Sequence, residues 1–152
     1  MRWVLKTFQE LLPEELYAVL RLRAAVFVVE QTCAFQDLDN KDQSSYHLLG
    51  YIDDELVAYT RLVPPGISYT AASIGRVVTS PAYRKRGLGK ELMQVSIDHC
   101  NRLFASATIV IGAQCYLENF YRSFEFIPSG EIYLEDGIEH IEMTRKERSK
   151  TQ

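Results

Sequence analysis

The chain has few cysteines, and none of them is spaced for a cross-link. Its 152 residues include only three, Cys33, Cys100 and Cys115. An odd number without Cys-x-x-Cys spacing argues against both a disulfide framework and a zinc site. Reduced thiols are typical of the cytoplasm, so we expect a cytoplasmic protein.

Long apolar runs and an excess of charge of one sign are also absent from the sequence. No segment approaches the ~20 apolar residues that a membrane-spanning helix needs, and the N-terminus has no signal-peptide core. The 17 basic and 20 acidic residues leave a formal net charge of -3, which gives no general attraction for nucleic acid or an anionic membrane. We therefore expect neither a membrane nor a nucleic acid as a partner.

What the chain does have is the composition and length of one ordinary domain. Its hydrophobic fraction of 47% and charged fraction of 24% suit a protein with a proper core. We expect a single domain over residues 1–146 and a charged, disordered tail over residues 147–152. The sequence leaves both a monomer and a homodimer open.

Hydrophobic periodicity gives the order of the secondary-structure elements. The predicted strands cover residues 3–7, 47–52, 55–63, 74–79, 107–113, 126–128 and 138–144. Predicted helices begin at Pro13 and span 87–104 and 116–124, and the acidic loop 32–45 is expected to hold one short helical turn. The apolar run 107–113 is expected to be covered on both faces. This order predicts an α/β fold, α+β in some schemes, with a mixed central sheet and helices on both faces.

The most informative stretch is a basic, glycine-containing turn between a predicted strand and a predicted helix. It comprises Arg84, Lys85, Arg86, Gly87, Leu88, Gly89 and Lys90. At the start of a helix several backbone N–H groups are free and the helix dipole is positive, which favours a polyanion such as a diphosphate. Glycine lets phosphate oxygens approach the backbone closely.

The spacing of this turn differs from that of two common phosphate-binding loops. A dinucleotide-binding fingerprint needs a third glycine where the chain has Leu92. A Walker loop needs a glycine at Arg84 and a serine or threonine at Glu91. The remaining pattern, Arg-x-x-Gly-x-Gly, resembles the acetyl-CoA loop of the GNAT superfamily of N-acetyltransferases.

A second motif strengthens this resemblance. The segment Phe-Tyr-Arg-Ser-Phe-Glu-Phe over residues 120–126 is similar to Phe/Leu-Tyr-x-x-x-Gly-Phe of the same enzymes. The chain departs from that pattern at Glu125, where the family carries glycine. Because a helix often ends on a left-handed residue, we expect such a conformation at Glu125.

The resemblance implies which residues would meet the cofactor. The predicted strand before the loop would splay from the next strand, and backbone groups of Val77, Val78 and Thr79 would bind the pantetheine arm and the acyl carbonyl. Gln114 would make a further polar contact with the cofactor. The hydroxyl of Tyr121 would point at the sulfur and act as the general acid that protonates the leaving thiolate.

The N-terminal half carries Arg-Ala-Ala-Val-Phe-Val-Val-Glu-Gln over residues 23–31, an aspartate-rich segment over residues 37–42, and His47. With these segments the chain resembles, over nearly its whole length, the ElaA-type branch of this superfamily, whose substrate is not generally assigned. Four acids there, Glu30, Asp37, Asp39 and Asp42, are candidates to surround a cationic acceptor, although each also fits a solvated loop or a helix cap. By elimination we keep His47 and Glu30 as candidates for the general base. The spacing matches neither an EF-hand nor a His-x-x-x-His zinc site, so we expect no metal.

These observations favour an acetyl-CoA-dependent N-acetyltransferase that moves the acetyl group directly to an amine of a small molecule or peptide. One alternative is a non-catalytic acyl-CoA-binding sensor on the same fold. Another is an acyl-homoserine-lactone synthase. Those enzymes share an Arg-x-x-x-Phe pattern and an Asp-x-x-Asp cluster with this chain, but they are usually longer and carry tryptophans in this region, whereas Trp3 is the only one here.

Overall fold

The computed structural model of the chain describes residues 1–105 and 108–146, which form seven strands and three α-helices. The strands are β1 (Arg2–Thr7), β2 (Tyr46–Ile52), β3 (Glu55–Val63), β4 (Ser73–Thr79), β5 (Ile109–Gln114), β6 (Ile127–Glu135) and β7 (Ile138–Arg145). The helices are α1 (Pro13–Arg23), α2 (Leu88–Leu103) and α3 (Glu118–Arg122). None of the described helices is both long and apolar enough to cross a bilayer.

The strands form two antiparallel sheets that meet at one point. The first sheet has the order β1-β2-β3-β4 and the second the order β5-β7-β6. Ala72 and Ile109 form an isolated parallel bridge between them, and the Val110 N–H donates to the Ala72 carbonyl at 2.9 Å. Beyond that bridge the described parts of β4 and β5 are not paired, so the two sheets open into a V. Two antiparallel sheets packed with three helices confirm the predicted α+β fold class.

Helices cover both faces of the first sheet because neighbouring strand residues point to opposite sides. On one face Leu49 packs with Val19 of α1 and with Val26, which lies in the stretch directly after that helix. On the other face Leu48 packs with Leu92 of α2. The same α2 also packs against the second sheet, in a cluster that contains Met93, Ile97, Cys100, Ile109, Ile111 and Met143. The helix therefore holds together two sheets that share almost no hydrogen bonds.

Several boundaries differ from those predicted. The helix that begins at Pro13 continues from α1 into a wider π-helical stretch, Ala24–Glu30. The predicted helix 116–124 is divided into a 3-10 turn, Cys115–Leu117, and α3. The loop 32–45 holds one short turn, Asp42–Ser44, as predicted.

Two predictions about strands were wrong, and exposure explains both. The strand expected at 126–128 is the nine-residue β6, which lies at the edge of its sheet and is exposed along almost all its length, so its sequence lacks alternation. The run 107–113 is not covered on both faces, because Gly112 of β5 is exposed. Ala107 and the predicted tail 147–152 lie outside the described residues.

The end of α3 has the left-handed geometry expected at Glu125. That residue has φ 72°, and its N–H donates to the Arg122 carbonyl at 2.9 Å. The Phe126 N–H donates to the Tyr121 carbonyl at 3.2 Å. These two hydrogen bonds are those of a Schellman motif, which places Glu125 at the position where glycine has the lowest conformational cost.

We expect Glu125→Gly to leave the free energy of unfolding unchanged or to raise it, by no more than about 1 kcal/mol. The substitution relieves the left-handed strain and removes an ion pair with Arg145 that is long, at 3.8 Å. Urea denaturation measures the change. The matched control is Ser123→Gly, at an ordinary helical φ of -64°, which should destabilise the protein. A clear loss of stability in Glu125→Gly would contradict this account.

Candidate functional site

A cavity of about 840 Å³ opens where β4 and β5 separate. Its walls include the end of the first helical segment with the loop after it, the splayed strands, the glycine-containing turn at the start of α2, the segment around α3, and the hairpin β6–β7. Among the lining residues named in the sequence analysis are Glu30, Asp39, Val77, Val78, Thr79, Arg84, Gly89, Gln114 and Tyr121. The fold thus brings the two halves of the predicted cofactor motif to one space.

The glycine-containing turn has the backbone shape of an anion site. Lys85 has φ 67° and Gly87 has φ 73°, and α2 begins directly afterwards. The N–H groups of the first turn of α2 have no partner within the helix. A Cβ added at Gly89 would meet no atom within 4 Å, so the space above this backbone is open.

The side chains of the turn are divided between the cavity and other surroundings. Arg84 lines the cavity, whereas the Leu88 side chain is buried in the core beneath α2. The guanidinium carbon of Arg86 lies 5.3 Å from the centre of the Tyr83 ring. Lys85 and Lys90 are exposed. Leu88 is therefore available to a ligand only through its backbone N–H.

Strand β4 contains a bulge at the point that faces the cavity. The register with β3 shifts between Tyr59↔Val78 and Arg61↔Gly75, so two residues of β4 oppose one residue of β3. Arg76 adopts φ 50° there. A bulge interrupts the hydrogen-bond ladder, which leaves backbone groups of this strand free for another partner.

Tyr121 of α3 is buried at the cavity wall, with 7% of its surface exposed. Its ring packs edge-on against Phe126, with centroids 6.0 Å apart, and against Phe120 at 5.2 Å. Burial raises the pKa of Tyr121 to about 12. The hydroxyl therefore carries its proton at neutral pH, as a proton donor must.

All four predicted acceptor acids are ion-paired with arginines of the same chain, and three of them belong to one connected network. Asp37 accepts from Arg23 Nε at 2.9 Å and from Arg76 Nε at 2.8 Å. Asp39 accepts from both terminal nitrogens of Arg61 at 2.8 Å. One Asp42 oxygen accepts from Arg23 Nη1 and Arg61 Nη1, each at 2.9 Å.

This ion network of three aspartates and three arginines is compact and has no net charge. Arg23 is fully buried, and Asp37 and Asp42 are each 6% exposed. Burial alone would raise the pKa of Asp42, but the hydrogen bonds and charges of Arg23 and Arg61 outweigh it and lower that pKa. Of the three aspartates only Asp39 lines the cavity. The predicted ring of free carboxylates around an acceptor is therefore not what these residues form.

Glu30, the fourth predicted acid, lies at the cavity next to the predicted cofactor loop. Its carboxylate pairs with Arg84, with Arg84 Nη2 2.8 Å from Oε1 and Nη1 2.9 Å from Oε2. Both side chains are about two-fifths exposed. The structure thus joins a predicted acceptor residue to a predicted cofactor residue.

The placement of His47 argues against its predicted role as the general base. The residue is 1% exposed and does not line the cavity. Its Nε2 lies 2.9 Å from the Asp42 carbonyl and its Nδ1 lies 2.6 Å from the Tyr59 hydroxyl, so both ring nitrogens are occupied. Burial lowers the pKa of His47 despite the nearby Asp42. The ring is buried because Phe8 and Tyr59 pack against it and the Asp42 carbonyl covers its Nε2 edge.

The hairpin β6–β7 adds cavity residues that the sequence analysis missed, among them Tyr133 and His140. His140 lies opposite Gln114 of β5 in the strand register, and Tyr133 lies opposite His140. Gln114 in turn exchanges long hydrogen bonds with Gln31, at 3.4 and 3.5 Å. The only sequence signal for His140 was its place on the predicted last strand, and without the full β6 that strand had no partner.

Comparison with known proteins gives a consistent result. Residues 13–147 match the family model described as an acetyltransferase (GNAT) domain. The protein ElaA of Escherichia coli is 45% identical over 139 residues, which is 90% of this chain and 91% of that protein. The UPF0039 protein C11D3.02c of Schizosaccharomyces pombe is 41% identical over 145 residues, 94% of this chain and 95% of that protein.

Solved structures show the same likeness. An acyl-CoA N-acyltransferase from Pseudomonas aeruginosa superposes with a TM-score of 0.90 at 40% identity, covering 95% of this chain and 99% of that one. The crystal structure of Escherichia coli ElaA gives a TM-score of 0.89 at 43% identity, with the same coverage. A CoA-dependent acyl-homoserine lactone synthase, BjaI, gives 0.75 at 18% identity, which shows a shared fold alone.

We expect Asp42→Asn to destabilise the protein by about 3–5 kcal/mol near neutral pH, because it leaves the buried network with one uncompensated positive charge. Since the pKa of Asp42 is lowered in the folded state, its contribution is present above about pH 4 and is lost as the pH falls below that value. The difference between wild type and variant should therefore shrink in acid.

Urea denaturation at several pH values checks this prediction. Asp54→Asn, at an exposed turn position, is the matched control and should change little. A difference that stays constant down to pH 2.5 or so, or a loss under 1 kcal/mol, would show that the Asp42 charge does not hold the network.

Proposed function

Because this chain belongs to the GNAT family of acetyltransferases, we propose that it transfers the acetyl group of acetyl-CoA to an amine of a small molecule or peptide. One observation carries the proposal. The open backbone at Gly89, the bulged strand β4 and the buried hydroxyl of Tyr121 all border the same cavity. The three cysteines of the protein are free thiols, and we propose a cytoplasmic location on that basis.

The residues present fit an acyl-CoA. The first-turn N–H groups of α2, together with Arg84, Lys85 and Arg86, suit the diphosphate. Backbone groups of the bulged strand and the side chain of Gln114 suit the pantetheine arm and the acyl carbonyl. When bound, acetyl-CoA would supply an acetyl group activated as a thioester, whose carbonyl carbon an amine nitrogen can attack with loss of the thiolate.

The protein's own contribution to the chemistry is proton transfer and charge stabilisation. Negative charge that develops on the acyl oxygen would be stabilised by a backbone N–H of the bulged strand, for which we propose Val78. The thiolate that leaves needs a proton, and Tyr121 is a protonated donor at the wall of the same cavity. No covalent enzyme intermediate is required, so we propose direct transfer in a ternary complex.

The decisive experiment is release of free CoA from acetyl-CoA, measured against a panel of polyamines, aminoglycosides, amino acids and peptide amines. We expect at least one amine to accelerate release. Binding of acetyl-CoA without release in the presence of any amine would instead support a sensor. Release that requires S-adenosylmethionine and a longer acyl chain would support an acyl-homoserine-lactone synthase.

Substitution of Gly89 in the cofactor loop should weaken acetyl-CoA binding without lowering the thermal stability of the protein. Gly89→Val should weaken acetyl-CoA binding at least about tenfold, because its side chain would fill the open space above the first turn of α2. Thermal unfolding should be unchanged or improved, since no atom lies within 4 Å of the new Cβ and valine has the better helix propensity. Gly89→Ala should show a smaller loss of affinity. Wild-type affinity in Gly89→Val, measured by calorimetry, would rule out the loop as the diphosphate site.

The role of Tyr121 gives a second prediction. Tyr121→Phe keeps the aromatic packing and removes the hydroxyl, so kcat should fall by roughly 10²-fold while acetyl-CoA affinity stays near that of wild type. Because the pKa of Tyr121 is raised to about 12, the hydroxyl should add no basic limb to the pH–rate profile below about pH 11.

The matched control for this variant is Tyr116→Phe, in the turn before α3, where the ring is 72% exposed at the cavity. Removing that hydroxyl should change kcat by less than about threefold. If Tyr121→Phe shows an equally small effect, or a loss confined to KM, water protonates the thiolate and Tyr121 is a packing residue.

A further inference from the structure

The proposed reaction needs a base, because an amine acceptor is an ammonium ion at neutral pH and only the neutral nitrogen can attack. Of the two candidates from the sequence, His47 is buried away from the cavity and Glu30 is paired with Arg84. The hairpin β6–β7 contributes another titratable side chain to the cavity, His140, which is 8% exposed.

The ring of His140 is held in one tautomer by its own strand. Its Nδ1 lies 2.8 Å from the carbonyl oxygen of Ile138. A carbonyl oxygen only accepts hydrogen bonds, so the Nδ1 atom carries the proton in the neutral ring. The Nε2 atom then has a free lone pair, which is what a base requires.

The surroundings of Nε2 suit the protonated form of the ring. A carboxylate oxygen of Glu135 lies 3.6 Å from Nε2 and would face the new N–H of the imidazolium. The Tyr133 ring stacks on the imidazole, with centroids 5.7 Å apart and planes inclined by 26°. Together these contacts fix the orientation of the ring.

The second sheet places His140 on the face that borders the cavity. His140 pairs with Gln114 and Glu142 pairs with Gly112 in the ladder between β7 and β5, so these four residues share one face. A Cβ at Gly112 would lie 2.5 Å from the Tyr133 hydroxyl and 3.2 Å from the Tyr69 hydroxyl. Because Gly112 has no side chain, there is space for the hydroxyl groups of these two tyrosines to approach each other beside His140.

The charges around this part of the cavity favour a cation. Glu135 and Asp136 of the hairpin line it, and within residues 1–105 and 108–146 neither carboxylate has an ion pair with a lysine or arginine. The cavity arginines are compensated, since Arg61 and Arg76 pair with aspartates and Arg84 pairs with Glu30. The other titratable groups that line it are Cys33, Asp39, Lys41, Tyr69, Tyr116, Tyr121 and Tyr133.

We propose that the acceptor subsite is formed by His140, Glu135, Tyr133 and Tyr69. The subsite takes an amine that arrives as an ammonium ion. His140 is the catalytic base. The ammonium nitrogen loses one proton to Nε2 of His140, which leaves a neutral amine and an imidazolium. The imidazolium returns that proton to solvent after the transfer, while the second proton that the nitrogen loses on acylation restores the Tyr121 hydroxyl that has protonated the thiolate. This assignment rests on the proposed acetyltransferase function.

The test begins with His140→Asn. The asparagine amide can keep the donor to the Ile138 carbonyl, while the basic nitrogen is lost. With the panel amine that the wild-type protein acetylates fastest, kcat/KM at pH 7 should fall by about 10²-fold. Activity of the variant should rise steadily towards the pH range in which the amine itself is neutral. The part of the acidic limb that the base causes in the wild-type pH–rate profile should be absent.

Further variants separate catalysis from structure. Glu135→Gln should raise the KM for the amine, because the acceptor subsite loses one of the carboxylates that favour a cation. His99→Asn, on α2 and away from the cavity, is the control and should keep the wild-type profile. The affinity of His140→Asn for acetyl-CoA, measured by calorimetry, should match wild type.

Nitrogen-15 chemical shifts of the histidine rings give a readout that is independent of turnover. In the protein without ligand, His140 should be the Nδ1–H tautomer. An Nε2–H tautomer would overturn the assignment. A pH–rate profile of His140→Asn that keeps the wild-type acidic limb would also overturn it, and so would a profile of Glu30→Gln that loses this limb. A wild-type protein that binds acetyl-CoA and acetylates no amine would overturn the proposed function and this inference together, whereas an active wild type with an unaltered His140→Asn profile overturns only the latter.

Discussion

The structure depends on one constraint, namely that β4 and β5 share a single parallel bridge and then separate. If the two strands were paired along their length, the protein would have one continuous sheet and no cavity. The bridge at Ala72 and Ile109 closes the narrow end of the V, and α2 packs across both sheets to hold them in place. Backbone groups along the open edges need other partners, because unpaired peptide groups are costly when they are removed from water. Where the two strands separate, their unpaired peptide groups therefore need hydrogen bonds from a bound ligand or from solvent.

The separation also explains why the parts of the site come from distant positions. The turn at Gly87 follows β4, and Tyr121 follows β5, so each part of the cofactor motif lies just beyond the carboxyl end of one arm of the V. The hairpin β6–β7 extends the second arm, while the loop after α1 lies against the first. Four chain segments thereby enclose one space.

The sequence predicted those features that depend on local order. The strand β3 has the predicted bounds, because a mostly apolar run lies between an Asp-Asp turn and a Pro-Pro break. The left-handed end of α3 followed from a motif only seven residues long. The strand β6 was largely missed, since an edge strand exposed on both faces has no hydrophobic alternation to detect.

Longer-range features could not be predicted from residue types. The aspartates at 37, 39 and 42 were recognised as a cluster, but their partners are 14 to 39 residues away, and nothing local indicates which arginine reaches them. The two histidines show the same difficulty. His47 and His140 both lie on strands, and only the packing of other elements buries one beneath the sheet and leaves the other at the cavity.

The two sides of the cavity differ in charge for a structural reason. On the side of α1, three arginines and three aspartates neutralise one another and tie the loop after α1 to β3 and to the bulge of β4. On the side of the hairpin, Glu135 and Asp136 have no lysine or arginine partner among the residues that the structure describes. A wall made rigid by a neutral network therefore faces a wall whose charge is available to a ligand.

The ion network also constrains how this protein can change over evolutionary time. Arg23 uses Nε, Nη1 and Nη2 at once, in a planar fork that a lysine cannot reproduce. Loss of any one member leaves a buried charge without its counterpart, so a lineage that replaces a single residue passes through a less stable protein. Replacement of the set by apolar residues would not carry that penalty, yet it requires several substitutions together. We therefore expect these six positions to be inherited as a block, with the loop after α1 varying in sequence only between the residues that anchor it.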